Sequence, residues 1–403
     1  MIIAIIGGGA AGMMAALTAA QSGKHRIVLF ERQARVGRKL AATGNGRCNL
    51  TNTAASPSFY HGEDSGFAGA ALADFGVEAT LARFSELGLV TVMEPGGKVY
   101  PYSDSANSVV DVLRFGCEGA GVEMLTGCAV TAVRRRKRGF TVCYDGGTMD
   151  ADRVIIACGG AAGGKLGGVR DGYELLRSLG HSVTPLRPSL VQLKTEGGWT
   201  RQLKGVRADA AVTVLRGGKI AASSCGEVQF TDYGLSGPAI FEISRAALEA
   251  DGTEIRLDLM RLWSGDAVEE MLIRRARSLP QLPASELFCG MLHNRLGRVL
   301  LQYAGISQTM TLHDLTDEMA RKLAAAAKCF SHRVTGDMGF DNAQVTAGGV
   351  HTDEFDPVTM ESRIVSGLYA AGEVLDIDGD CGGFNLQWAW SSGHAAGKAA
   401  AER

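Results

Sequence analysis

The tightest constraint on this chain lies in its first thirty-one positions. A short branched apolar run at 1–6 (MIIAII) meets GGGAAG at 7–12, then an alanine-rich stretch over 10–22, then a second apolar run at 26–31 ending in Glu31. The order is strand, tight turn, helix, strand, which is a βαβ unit. Gly7 permits the tight turn, Gly9 lets a pyrophosphate approach the main chain, and Gly12 lets helix and strand pack closely. Ala10 and Ala11 open a helix whose free N–H groups and partial positive charge suit phosphate. Glu31 can accept both hydroxyl hydrogens of an adenosine ribose, and Arg32 follows it. The motif predicts dinucleotide binding. By itself it does not separate FAD from NAD.

Two further glycine-rich segments lie far from the first. GRKLAATGNGRCNLTN at 37–52 is polar and too long for a connector, and long ordered loops usually carry function. Asn45 between Gly44 and Gly46 allows a main chain that lies flat against a ring or phosphate. Arg38, Lys39 and Arg47 bring positive charge, while Asn45 and Asn49 can pair with an amide-like edge such as that of flavin. The other segment runs from TAGGV at 346–350 through LYAAGEVLDIDGDCGGFNLQWAWSSGHAAG at 368–397. There a buried strand turns at Gly372 and Glu373, and Gly382 and Gly383 open a last helix over 384–401. A helix start near Asn385 and Leu386 favours the negative charge of a reduced flavin by roughly 0.3–1 kcal/mol. Ala157 and Gly159 end another strand where the chain is expected to pass close to the cofactor.

At 403 residues the chain is longer than one ordinary core can hold. It reads as an α/β chain: a glutathione-reductase-type FAD-binding Rossmann domain with an inserted β-barrel-like domain and a helical subdomain. The expected boundaries are 1–188 and 337–403 for the discontinuous cofactor domain, 189–262 and 331–336 for the β-rich insert, and 263–330 for the helical insert. Single strands are expected over 122–134, 139–145 and 148–157, and helices over 77–87, 105–119, 266–279, 285–304 and 316–330.

Composition excludes several classes. A formal net charge of -2 gives no whole-molecule attraction to nucleic acid or anionic membrane. The basic run Arg134–Arg138 has no interleaved aromatics and reads as a solvated hairpin tip. Nine scattered cysteines without a CxxC pair predict neither metal site nor disulfide framework, and a reducing cytoplasm is the expected compartment. No signal peptide and no membrane-length apolar run is read. Oligomeric state is left open.

Taken together, GGGAAG, TGNGRCNLTN, FTDYGLSGP at 230–238 and the segment at 368–393 resemble the bacterial NAD(P)/FAD-dependent oxidoreductase family that includes aminoacetone oxidase and the BaiN bile-acid enone reductase. The resemblance runs nearly end to end. It implies non-covalent FAD held by Gly9, Gly12, Glu31, Arg38, Lys39, Asn45, Gly46 and Arg47, with main chain near Val130 on the adenine side. It implies that Gly372, Glu373, Gly383, Asn385 and Leu386 meet the pyrophosphate, ribityl chain and ring. Many members carry histidine where this chain has Asp232, so that histidine's role does not transfer.

The expected activity is hydride transfer from NADH or NADPH, docking transiently, through flavin N5 to a small organic acceptor such as an enone. Arg47, Asn49 and Tyr233 are the candidate catalytic residues, Tyr233 as a proton or hydrogen-bond donor within the loop that includes Thr231, Asp232 and Ser236. The alternatives are a small-amine oxidase passing electrons to O2, and a flavin redox sensor or RNA-associated flavoprotein.

Overall fold

The computed structural model describes residues 1–402. It divides into two compact units, one formed by Met1–Pro188 together with the chain from Phe340 onward, the other by Ser189–Gly339.

The first unit is built on a five-stranded parallel sheet in the order Leu368–Ala370, Arg153–Ile156, Ile2–Ile6, Arg26–Glu31, Glu123–Thr126. Ile3, Ala4, Ile5 and Ile6 are all buried, as a central parallel strand covered on both faces requires. The first helix, Ala10–Ala20, carries small residues, and the last helix, Phe384–Glu402, lies against it. A Cβ at Gly393 or Gly397 would run into the main-chain oxygens of Ala11 and Ala15. The two ends of the chain are therefore packed backbone to backbone, a contact only residues without a side chain permit.

Two expected strands are each two strands in different sheets. The 122–134 run splits into Glu123–Thr126, in the parallel sheet, and Val130–Arg135, in an antiparallel meander with Phe140–Tyr144 and Gly147–Ala151. The 148–157 run likewise splits at Asp152, whose carboxylate accepts from the Ile2 N–H at 2.6 Å as the chain enters the main sheet. Alternating hydrophobicity looks the same in both sheets, so the change of partner is invisible locally. A helix at Asp171–Ser178 also escaped the periodicity reading.

The second unit contains a closed six-stranded barrel in the order Leu193–Thr195, Gly234–Ser236, Lys219–Phe230, Arg207–Arg216, Glu254–Asp258, Phe330–Asp337. Gly217 and Gly218 turn its long hairpin, but Gly197 and Gly198 lead into a short helix, Trp199–Gln202, rather than a hairpin. Helix Pro238–Ala247 lies within the stretch expected to be β-rich, with proline at its first turn where the missing N–H costs nothing. The 285–304 helix is broken: a short 3-10 turn, Ala284–Glu286, precedes helix Asn294–Tyr303, whose start is capped by the His293 ring accepting from the Arg295 N–H. Barrel and helices share one hydrophobic core that includes Val212, Phe230, Leu257, Leu272, Leu300 and Phe330. Among the described residues, no helix is long and apolar enough to cross a membrane.

Candidate functional site

The GGGAAG turn divides its glycines by role. A Cβ on Gly12 would strike the Gly7 carbonyl oxygen, and one on Gly7 would strike that of Ala157, so these two are structural. Nothing lies within 4 Å of a Cβ built on Gly9, so that face of the turn is open. The Glu31 carboxylate is fixed beside it, accepting from the Gly8 N–H at 2.9 Å and the Gln33 N–H at 2.7 Å. The loop before Val130 is tied to the same strand end, Cys128 N–H donating to Glu31 O at 2.9 Å. Val130 itself is buried at the start of the meander. Arg32 pairs with Asp171 at 3.0 Å, and Arg38 donates to Gln33 Oε1 at 2.6 Å. Ala157 N–H donates to Ile6 O at 2.8 Å, and Gly159 next along has an open face like that of Gly9.

In the second segment, Leu40–Gly46 forms a kinked 3-10 turn in which Gly44 and Asn45 both take φ of 56°. This left-handed pair, tolerated by glycine and asparagine, leaves Asn45 and Gly46 exposed at the tip. Asn49 points inward. Its Oδ1 is buried and has no hydrogen-bond partner among the described residues. An acceptor buried without a partner costs about 1–3 kcal/mol, which a donor from outside the chain would relieve. Arg47 is held by Glu94 at 2.5 Å and by Asp104, with its guanidinium 4.1 Å above the Tyr100 ring. The hydrogen bonds to Glu94 and Asp104 keep it firmly cationic. Cys48 is buried, which pushes its thiol up to about 12 and leaves it a protonated, inert side chain.

The third segment meets the second. Lys39 Nζ is 2.7 Å from Glu373 Oε2, and Glu373 Oε1 accepts from the Thr346 N–H at 2.8 Å. Asn52 Nδ2 donates to Gly382 O at 3.0 Å, and a Cβ at Gly383 would lie 2.6 Å from the Thr51 carbonyl. Thr51 donates to Gln387 Oε1 at 2.6 Å, and the Trp390 indole donates to Leu50 O at 2.9 Å. Two of the expected cofactor residues also make internal hydrogen bonds. Gly372 N–H donates to Ser392 Oγ at 2.9 Å and its carbonyl accepts from Trp388, so both its peptide groups are used internally. The Asn385 side chain closes on Gly379, accepting from its N–H at 2.8 Å and donating to its carbonyl at 2.7 Å. What the helix start presents is main-chain N–H, next to the half-buried Leu386.

Gln387, Ser391, Ser392 and Thr346 were missed in the sequence. The first three are fully buried polar residues of the last helix: Gln387 and Ser391, four apart, share a face that bonds Phe75, while Ser392 turns to Gly372. In the second unit, Tyr233 is half-buried and follows Asp232, whose carboxylate Lys204 holds low at 2.7 Å. Its main-chain oxygen accepts from the Thr195 N–H, and its hydroxyl has no hydrogen bond among the described residues.

A family model described as the HI0933-like protein Rossmann domain matches residues 1–399. The chain belongs to the HI0933-like family. It is 42% identical to the 3-dehydro-bile acid delta(4,6)-reductase of Clostridium scindens, across 100% of this chain and 99% of that one. It is 32% identical to the ribosomal RNA dihydrouridine synthase of Escherichia coli, across 97% of this chain and 96% of that one. The fold matches that of the 3-ketosteroid delta1-dehydrogenase from Sterolibacterium denitrificans with a TM-score of 0.51 at 13% identity, covering 99% of each chain. The family places this protein among FAD-dependent oxidoreductases. Its own residues fit that cofactor: an open Gly9, a positioned Glu31 carboxylate and the orphaned Asn49 acceptor.

Proposed function

We propose that this HI0933-like protein saturates a carbon–carbon double bond conjugated to a carbonyl, taking hydride from NADH or NADPH. One observation carries the reading. Relatives matched over nearly their whole length are named for a delta(4,6)-reductase of a 3-oxo compound and for the making of dihydrouridine, and both names describe that same reaction class. The balance is one hydride to the carbon remote from the carbonyl and one proton to its neighbour, with the nicotinamide oxidised. FAD, when bound, supplies the two-electron carrier between donor and acceptor. The chain contributes the rest. Glu31 would hold a ribose, and the main-chain N–H groups near Gly9 and at the last helix would hold phosphate and ring edge. Asn49 Oδ1 would accept from a ring N–H. Arg47 is the proposed cation beside the substrate; Tyr233, the proton donor expected from the sequence, belongs to the second unit.

The test is anaerobic. The purified yellow protein is mixed with NADH or NADPH, and the flavin absorbance should bleach and then recover on adding an enone. Bleaching by a small amine and recovery only with O2 would establish the oxidase reading instead.

A second reading takes uracil in RNA as the acceptor. It is favoured by the 32% and 30% identity to ribosomal RNA dihydrouridine synthases of E. coli and Haemophilus influenzae. It is also favoured by the hairpin at 134–138, where Arg136 pairs with Asp150 while Arg134, Arg135, Lys137 and Arg138 have no carboxylate partner among the described residues. Ribosomal RNA retained at low salt and released steeply as salt rises would support it.

A further inference from the structure

Reduction of a conjugated double bond needs a proton as well as a hydride. A general acid works best with a pKa near the working pH, and histidine is the side chain whose ordinary value lies there. The first unit carries His25, His61, His181, His351 and His394. His25 Nε2 is 2.9 Å from Ala401 O at the far end of the last helix, and His394 stacks on Phe75 and meets Thr18. His181 is buried between Ser362 and Glu354. His351, at the end of the TAGGV segment remote from Thr346, pairs with Glu63 at 3.0 Å, and its N–H donates to Ser182 O. Other acids of the cofactor segments are held protonated. Burial pushes the Cys48 thiol up to about 12, raises Tyr60, whose hydroxyl donates to Phe384 O at 3.0 Å, and raises Tyr100 beneath Arg47.

His61 is placed differently. Tyr60–His61 pairs antiparallel with Asp378–Gly379, setting Asp378 opposite His61 and Gly379 opposite Tyr60. Opposed residues share a face, so His61, Asp378 and Asp380 lie on one side while Tyr60 turns to Phe384 on the other. His61 Nε2 is 2.6 Å from Asp380 Oδ1, and the Asp380 N–H donates to Phe59 O at 3.0 Å. The Phe59 ring stacks on Phe384 with 4.4 Å between centroids, and Phe384 is the first residue of the last helix. The imidazole–carboxylate pair therefore stands at the turn that opens the helix start. Its side chains are 37% and 25% exposed, so solvent reaches the ring. The other charged groups of these two strands and their flanks are Asp376, Asp378 and Glu63, all carboxylates. Together with Asp380 they favour an imidazolium.

We propose that His61, positioned by Asp380, is the catalytic proton donor of the reductase reaction. The inference rests on the reductase reading and names the group that completes it. The nicotinamide loses a hydride, which adds to the carbon remote from the carbonyl. The proton leaves His61 Nδ1, and the electron pair of the resulting enolate closes the C–H bond beside the carbonyl. Asp380 keeps the Nε2–H, and the neutral ring is recharged by a proton from water.

The holoenzyme is reduced without oxygen by dithionite, which bypasses the nicotinamide, and mixed with cyclohex-2-en-1-one while the return of flavin absorbance is followed. His61→Gln should slow this step about a hundredfold or more, with bleaching by NADH or NADPH kept within about twofold of wild type. Added imidazole should restore part of the rate to His61→Gly. The wild-type rate should fall as rising pH removes the imidazolium. That limb should vanish in His61→Gln and move to lower pH in Asp380→Asn, where the charge favouring the cation is gone. His351→Gln is the control, an imidazole–carboxylate pair one position past the TAGGV segment. An unslowed His61→Gln, an equal loss in both half-reactions, or equal slowing in His351→Gln overturns the proposal and leaves the reductase reading standing. Reduced wild-type protein that passes electrons to no enone overturns the reading and the proposal together. One readout needs no turnover. The His61 ring resonance, assigned by its loss in His61→Gln, should move when FAD is titrated into the apoprotein, while that of His313 in the second unit stays. A His61 signal that does not move overturns the proposal.

Discussion

Lys39 Nζ lies 2.7 Å from Glu373 Oε2, joining residues 334 positions apart in the sequence. Both side chains are less than a third exposed, at 30% and 20%. The pair is thus partly shielded, and Glu373 is further committed to the Thr346 N–H. Lys39→Met should cost about 1–2 kcal/mol of stability, between the values for exposed and buried pairs. It should also raise the FAD dissociation constant. Urea unfolding and flavin titration of the apoprotein check the two effects separately.

Gly9 and Gly12 are three residues apart and should fail in different ways. Gly9→Ala meets no atom of the protein, so the apoprotein's unfolding midpoint should stay within about 0.5 kcal/mol of wild type. Its added methyl would occupy the open face, and flavin retention should fall at least tenfold. Gly12→Ala collides with the Gly7 carbonyl and should destabilise the apoprotein itself. Equal stability losses in the two variants would contradict this division of roles.

Gln387 is the centre of the seam between the second segment and the last helix. It accepts from Thr51, and its amide donates among Phe75 O, Thr80 Oγ1 and Ser391 Oγ. Gln387→Leu strands several fully buried groups and should cost about 3 kcal/mol or more. Gln387→Glu keeps the acceptor for Thr51 and should recover part of that loss in the same unfolding measurement.

Acid should weaken the fold before any carboxylate titrates. Ser362 Oγ accepts from the Ile364 and Val365 N–H groups, so its hydrogen donates to His181 Nε2 at 3.0 Å and the ring N–H faces Glu354 at 2.7 Å. Burial lowers the His181 pKa against the pull of Glu354. In the second unit, both ring nitrogens of His332 lack partners among the described residues, and burial pushes it from 6.5 to about 4. Folded values below the unfolded value mean that the native state binds fewer protons. The stability is present above the unfolded pKa and is lost as pH falls toward the folded one. For His332 this amounts to about 2 kcal/mol between about pH 7.5 and pH 5. His332→Phe should flatten that limb of the unfolding curve, and an unchanged limb would count against the assignment.

The GGGAAG turn, Glu31 and the polar loop with Asn49 were legible because each depends on neighbours within a few residues: a turn, a helix start, a strand end. The same holds for the barrel-like alternation and for most helices. Strand changes at Gly127 and Asp152 were not legible, because a period of two carries no mark of which sheet a strand joins.

By itself, then, the sequence determined the chemistry available at each end of the chain, since glycine, carboxylate and amide placement along a strand or turn is a local property. The tertiary structure alone decided which of those groups meet. Lys39 finds Glu373, and Arg47 is taken by Glu94 and Asp104. Gly393 and Gly397 admit the first helix, and Val90 and Tyr102 stay uncovered. The physical reason is that packing and ion pairing act over a few ångströms of space, while the partners they select are separated by hundreds of positions along the chain.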